Sequence, residues 1–253
     1  MSDQKINIAF IGTGLMGLPM VQNLSKGNYQ INAFNRTPSK MDSLKEASNI
    51  KICDSLEQAI KNSSIVITML PDDEAVEKVV NEVIGKSLLS KDSVFVDMSS
   101  TKYESAKLFY SNLKKTNVHF VDAPVSGGPE GAKSATLAIM AGGDVDVFEK
   151  IKEILKTMGN PTLVGPTGSG QVAKLCNQII VGVTIGAVAE AVILCEQVGA
   201  NPENFIKAVA GGFADSKILQ NHGARMIKKD FAPRGKSITH LKDMDNILKC
   251  AKD

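Results

Sequence analysis

The chain is poor in the residues that build disulfide scaffolds and metal sites. Its four cysteines (Cys53, Cys176, Cys195, Cys250) form no Cys-x-x-Cys pair, and its three histidines (His119, His222, His240) show no ligand spacing. Metal catalysis is therefore not expected. Cys176 and Cys195 fall in a long helical pattern, where free thiols are expected to pack as small apolar groups. Charge is nearly balanced at +2, with no dense run of Lys and Arg, so no nucleic-acid or membrane-surface partner is expected. The start, from Met1 to Lys5, is polar and lacks the apolar stretch of a signal peptide, which points to a reducing, cytoplasmic setting. No segment is expected to span a bilayer, because Lys174, Asn177, Glu190 and Glu196 interrupt the nearest approach, from Val172 to Val198. Repeats and low-complexity tracts are also lacking.

What is present is an ordinary globular composition, 43% hydrophobic and 22% charged over 253 residues, enough for two domains. The run Ile6 to Ile11 is apolar and rich in β-branched residues. Gly12, Thr13, Gly14, Leu15, Met16 and Gly17 follow at once, and then a helical pattern with Met20, Val21 and Leu24 on its apolar side. Strand, glycine turn and helix in this order form a dinucleotide-binding fingerprint. Gly12 allows the tight turn, Gly14 lets a pyrophosphate approach the backbone, and Gly17 lets helix and strand pack closely. The second strand, Gln30 to Phe34, ends in Asn35, Arg36 and Thr37, where an NAD-binding protein usually carries an acidic residue. A guanidinium suits a 2′-phosphate, which favours NADP(H) and leaves NAD(H) possible. The alternative is a turn carrying a solvated arginine.

Further strands are predicted at Ser64 to Leu70, Val94 to Asp97, Val118 to Asp122, Leu137 to Ala141 and, briefly, Leu163 to Val164. A helix through Val76, Val79, Val80 and Val83 separates the first two of these. Another, from Val145 to Met158, is expected to be N-capped by Asp144. Ligands of open α/β sheets bind beyond the carboxyl ends of the strands, where Leu70, Pro71, Thr101 and Ser126, Gly127 and Gly128 fall. The last three form either an anion cradle or a plain glycine turn. The turn from Gly165 to Gly168 sets an expected boundary between an α/β domain, residues 1–164, and an all-α domain, residues 165–253.

The second domain opens with the longest helical pattern, Gln171 to Val198. Gly168 and Gly170 leave its mouth open to a close approach. Lys174 and Asn177, three apart, share one face beside that mouth. A lone lysine on a helix is ordinarily a solvated side chain, but here a cofactor site and an anion site accompany it. Asn201 and Pro202 start the next helix, one more is predicted from Ala214 to Lys229, and after a turn at Pro233 to Gly235 a final helix carries Lys242 and Asp243 toward Asp253.

Five motifs in order carry a resemblance: Phe10 to Met20, Met69 to Pro71, Asp122 to Gly128, Gly168-x-Gly170-x-x-x-Lys174-x-x-Asn177, and Lys242 with Asp243. The chain resembles the β-hydroxyacid dehydrogenase family, which includes 3-hydroxyisobutyrate dehydrogenases. It is most similar to the tartronate semialdehyde (2-hydroxy-3-oxopropionate) reductases, through Asn177 to Val181 (with Gln178 where many members have asparagine), Gly211 to Phe213 and His222 to Ile227. The resemblance implies a Rossmann-type domain followed by an all-α substrate and oligomerisation domain. It also implies a catalytic Lys174, and Asn177 and Gln178 at the substrate. Ser126, Gly127 and Gly128 would hold its carboxylate, with Thr101 and Lys242 near the nicotinamide. Family members usually continue for several helical turns past Asp253, so the helical domain is expected to be C-terminally shortened and incomplete.

The implied activity is an NADP(H)-dependent oxidoreductase reducing tartronate semialdehyde to glycerate. The alternatives are a 3-hydroxyisobutyrate dehydrogenase, a glyoxylate or succinate semialdehyde reductase, an imine reductase, a 6-phosphogluconate dehydrogenase and a non-catalytic NADP-binding protein. Imine-reducing relatives generally lack the lysine, and the sugar-phosphate enzymes are much longer. A homo-oligomer through the helical domain is expected.

Overall fold

The computed structural model describes residues 5–232 and 237–251. Met1 to Gln4, the expected turn at Pro233 to Gly235 and the chain end at Asp253 lie outside the described residues. The chain divides into two compact units, Met1–Lys174 and Leu175–Asp253. The division falls inside a helix rather than at the turn from Gly165 to Gly168.

The first unit alternates strands and helices: β1 (Ile6–Ile11), α1 (Gly17–Leu24), β2 (Tyr29–Phe34), a 3-10 turn (Pro38–Leu44), β3 (Ile50–Ile52), α2 (Leu56–Ile60), β4 (Ile65–Thr68), α3 (Asp73–Gly85), β5 (Val94–Asp97), α4 (Tyr103–Lys114), β6 (His119–Asp122), β7 (Val125–Ser126), α5 (Gly128–Lys133), β8 (Leu137–Gly142), α6 (Val145–Lys156) and β9 (Gly159–Gly165). The parallel strands run in the order β3-β2-β1-β4-β5-β6. β8 lies antiparallel to β6 and β7 and parallel to β9. Successive strand residues alternate between two apolar layers. Ile8, Phe10, Ile67, Val96 and Val121 join one, while Ala9, Ile11, Val66, Phe95 and Phe120 join the other. Burial on both faces explains why these strands read as continuous apolar runs. The strand order reverses between β1 and β4, which opens a crevice at their carboxyl ends. This is a Rossmann-type sheet, followed by a helical unit.

α7 (Ser169–Gln197) begins in the first unit and continues into the second. There follow α8 (Pro202–Val209), a π-helical turn (Leu219–Gly223), α9 (Ala224–Ile227) and α10 (Ser237–Cys250). Asn201 caps α8 by accepting the Asn204 N–H at 2.9 Å. Val188, Val192, Ile206 and Leu219 form the small core of this unit.

Several expectations are corrected. β9 is a full strand rather than a two-residue fragment. The helix predicted from Ala214 to Lys229 runs over residues 217–227 and contains the π turn (Leu219–Gly223). A Cβ on Gly223 would lie 3.0 Å from Ile206 and 3.3 Å from Val188, so packing of a bare backbone shapes that turn. Asp144 occupies the N-cap of α6 but makes no side-chain capping bond. Cys176 is exposed and Cys195 half-buried, while the buried thiol is Cys53. α7 is also long and apolar enough to cross a membrane by length and composition, with a window of mean hydropathy 2.1. Lys174 and Asn177 sit in its first turns and leave its middle apolar.

Candidate active site

The glycine turn after β1 is shaped to receive an anion. Gly12 has φ +102°, and a Cβ there would strike the Met69 carbonyl; a Cβ on Gly17 would strike the Gly12 carbonyl. Gly14 is different, because a Cβ there would meet nothing within 4 Å. No side chain caps the N-terminus of α1, so its first N–H groups and its dipole are available to a phosphate. Thr13 is buried, and its hydroxyl has no partner among the described residues. These features fit the pyrophosphate of a dinucleotide.

Other predicted cofactor residues divide by role. Asn35 is committed to its own chain: its Oδ1 accepts the Thr13 N–H (3.1 Å) and its Nδ2 donates to the Thr37 carbonyl (3.0 Å). It therefore braces the glycine turn. Arg36 and Thr37 are exposed just beyond β2, and Leu15 is exposed at the turn. Leu70 follows β4, with its N–H held by Ser99 Oγ at 2.9 Å, and Pro71 is exposed beside it.

Two buried carboxylates stand at the ends of the neighbouring strands β5 and β6, where Asp97 and Asp122 are register partners. Asp97 accepts from Thr68 Oγ1 (2.8 Å), the Ser99 N–H (3.0 Å) and Thr101 Oγ1 (3.3 Å). Burial pushes its carboxyl up to about 6, against the pull of the Ser99 and Thr68 bonds. Asp122 accepts from the N–H groups of Gly168 (2.7 Å) and Gln171 (2.9 Å). It caps α7 from a distant strand, and burial pushes it, too, up to about 6. The group that closes on Gly168 and Gly170 is thus the chain's own carboxylate. Gly168 has φ +95°, and its missing side chain also makes room for the Tyr103 ring, 2.6 Å from a Cβ built there. Lys174 is half-buried one turn further along α7.

Ser126 ends β7, and Gly127 and Gly128 follow with φ of +140° and +62°. Their exposed backbone turns at the start of α5. In the second unit a polar chain links the other predicted residues. Asn177 Nδ2 donates to Gln178 Oε1 (2.8 Å), and Gln178 Nε2 donates to Asp243 Oδ2 (2.7 Å). Lys242 Nζ lies 3.8 Å from Asp243 Oδ1. Asp243 is buried. Sequence reasoning gave no role to Asp97, Asp122, Gln171 or Asp243. An acidic residue closing an apolar strand was the available signal for the first two.

An open Rossmann crevice with an uncapped glycine turn defines a dinucleotide-binding fold. Residues 7–182 match the family described as the NAD binding domain of 6-phosphogluconate dehydrogenase, and residues 168–253 match the NAD-binding domain of NADP-dependent 3-hydroxyisobutyrate dehydrogenase. The 2-hydroxy-3-oxopropionate reductase of Escherichia coli is 40% identical over 98% of this chain and 85% of its own length. The 2-(hydroxymethyl)glutarate dehydrogenase of Eubacterium barkeri is 32% identical over 99% of this chain and 84% of its own. A 3-hydroxyisobutyrate dehydrogenase structure from Mycobacterium tuberculosis superposes with a TM-score of 0.87 at 27% identity, covering 98% of this chain and 87% of that one. The chain belongs to the 3-hydroxyisobutyrate dehydrogenase-like family of β-hydroxyacid dehydrogenases and is an NAD(P)-dependent oxidoreductase.

Proposed function

We propose that the chain transfers a hydride reversibly between NADP(H) and a small 3-hydroxy acid, with tartronate semialdehyde reduced to glycerate as the reaction. The observation that carries this reading is Lys174, half-buried one turn inside a helix whose first N–H groups are fixed by Asp122. The 40% identity to a reductase of that substrate name supports the choice of acid. Arg36, exposed at the end of β2, supports the phosphorylated cofactor through charge and forked geometry.

When bound in the glycine-turn crevice, the nicotinamide supplies the hydride. The N–H groups of Gly127 and Gly128, with the Ser126 hydroxyl, bind the substrate carboxylate and so orient the aldehyde. As negative charge develops on the aldehyde oxygen, the Lys174 ammonium stabilises it and then donates a proton to it. Water restores that proton to Lys174. Asn177, three residues on along α7, orients the same oxygen with the Nδ2 hydrogen that Gln178 does not use. Gln178 holds Asn177 through its side-chain amide, while Leu70, Pro71 and Thr101 lie at the strand ends where the cofactor binds.

The deciding experiment is oxidation of NADPH and of NADH with tartronate, methylmalonate and succinate semialdehydes and with glyoxylate. Fastest turnover with tartronate semialdehyde and NADPH is expected. NADPH binding without turnover of any of the four would instead support a non-catalytic binding protein.

The reading includes a cytoplasmic homo-oligomer through the helical unit. Ile179, Ile180 and Val183 and, further along, Ile193 and Leu194 are exposed on one side of α7. Between them Gly186 leaves room for a close approach, since a Cβ there would meet nothing within 4 Å. A second copy of α7 is the occupant such a self-complementary stripe fits. Light scattering of the wild type and of Val183→Glu tests this: an oligomer and a monomer, respectively, are expected. A monomeric wild type, or one that partitions into lipid vesicles, overturns it.

A further inference from the structure

Gln171, 1% exposed, lies in the first turn of α7, three residues before Lys174. Its own N–H donates to Asp122 Oδ2 (2.9 Å), its Nε2 donates to the Ser99 carbonyl (2.9 Å), and its Oε1 accepts the Thr101 N–H (3.1 Å). One carboxamide thus satisfies both a carbonyl and an amide of the irregular segment that leaves β5. That segment is itself tied down: Ser99 Oγ holds the Leu70 N–H, and the Ser99 N–H and Thr101 hydroxyl both reach Asp97. An amide buried this deeply costs stability unless it is bonded, so packing alone does not account for glutamine here.

We propose that Gln171 is a positioning residue, which locks the segment Ser99 to Thr101 onto the first turn of α7 so that Thr101 and Lys174 are set as one rigid unit. Its part in turnover rests on the reductase reading above, whereas the lock itself does not.

Two variants separate these layers. Gln171→Met keeps the length and loses both polar groups. Gln171→Glu keeps the shape but, when ionised, has no donor for the Ser99 carbonyl. Amide hydrogen exchange on the full chain reads the lock without substrate. In either variant, exchange at residues 99–103 and 168–175 is expected to accelerate together, about tenfold or more, while β1 and β4 keep their protection. Acceleration of one segment alone, or of neither, overturns the lock. Should Gln171→Met fail to fold, Gln171→Glu supplies the same reading.

In turnover, kcat is expected to fall about tenfold or more in both variants while KM and NADPH affinity hold within about twofold. The isotope effect with deuterated NADPH should rise as the hydride step slows. Acid should partly rescue Gln171→Glu, because a protonated carboxyl regains one donor and one acceptor. Its burial beside Asp97 and Asp122, the carboxylates bonded to Thr101 and to its own N–H, favours that protonated form. The ratio of its kcat to the wild-type value is expected to rise several-fold from about pH 8 to about pH 6. A merely structural role lowers the melting temperature and the active fraction and leaves the isotope effect and the kcat per active site unchanged, which overturns the part in turnover. A wild-type protein inert throughout the substrate panel sinks the reductase reading instead, and the exchange data still decide the lock.

Discussion

α1 and α7 both begin beside a Gly-x-Gly, Gly12 to Gly14 and Gly168 to Gly170, and the two mouths are finished in opposite ways. At α1 no side chain caps the helix, the Thr13 hydroxyl has no partner among the described residues, and space stands open over Gly14. At α7 the Asp122 carboxylate takes the N–H groups of Gly168 and Gln171, and the backbone of Met140 and Asp122 closes on Gly170. Both are sites where a helix dipole and unpaired N–H groups call for negative charge. One leaves that demand for a ligand, and the other satisfies it internally and so fixes the helix. A glycine pair at a helix mouth marks a close approach without telling which group makes it.

The largest effect should come from the fixed mouth. Lys174→Ala is expected to lower turnover on the order of 100- to 10,000-fold while cofactor binding persists. Steady-state kinetics beside a fluorescence titration of NADPH check it, and near-normal turnover would sink the assignment. On the open side, Arg36→Ala should weaken NADPH binding roughly 10- to 100-fold and leave NADH nearly unchanged, as loss of a charge-assisted phosphate contact requires. Equal losses for both cofactors would place Arg36 away from the 2′-phosphate.

A matched pair of alanines then tests the contrast directly. Gly14→Ala meets no protein atom within 4 Å, so it should keep its melting temperature and weaken cofactor binding about tenfold. Gly170→Ala drives a Cβ into the Met140 carbonyl and to 2.8 Å from Asp122, which should cost about 1–3 kcal/mol of stability. Thermal unfolding with and without NADPH reads both, and a reversed pattern would break the comparison.

The last effect concerns pH. Asp97 and Asp122 have native values of about 6, above the unfolded value of 3.8. The folded state therefore holds its protons longer, and this contribution is full below about pH 4 and lost as pH rises through about 6. Asp97→Asn should flatten the fall in stability between those limits by on the order of 2 kcal/mol. Denaturant titrations at several pH values measure the slope; an unchanged slope would show that Asp97 does not carry it.

Much of the first unit was legible because burial on both faces writes itself as apolar runs. Val94 to Asp97 matches β5 residue for residue, and the glycine spacing after Ile11 located the turn between β1 and α1. Legibility failed where a neighbour distant in sequence decides. β9 is read from sequence only at Leu163 and Val164, since its glycines and Pro161 resemble a turn. As the outer neighbour of β8 it tolerates them. The π turn at Leu219–Gly223 was likewise set by packing, where Gly223 meets Ile206 and Val188, rather than by local propensity.

The order of residues by itself determined the class of protein: alternating apolar runs, a glycine turn after the first strand, and a lysine and asparagine three apart on one helix. Such patterns depend on local spacing, which a chain carries before it folds. Only the tertiary structure decided which glycine mouth is filled and which carboxylate fills it. It also decided that Gln171, rather than a catalytic group, ties the strand ends to α7. Those assignments depend on atoms 46 to 72 residues apart meeting at hydrogen-bond distance, and no local pattern encodes that.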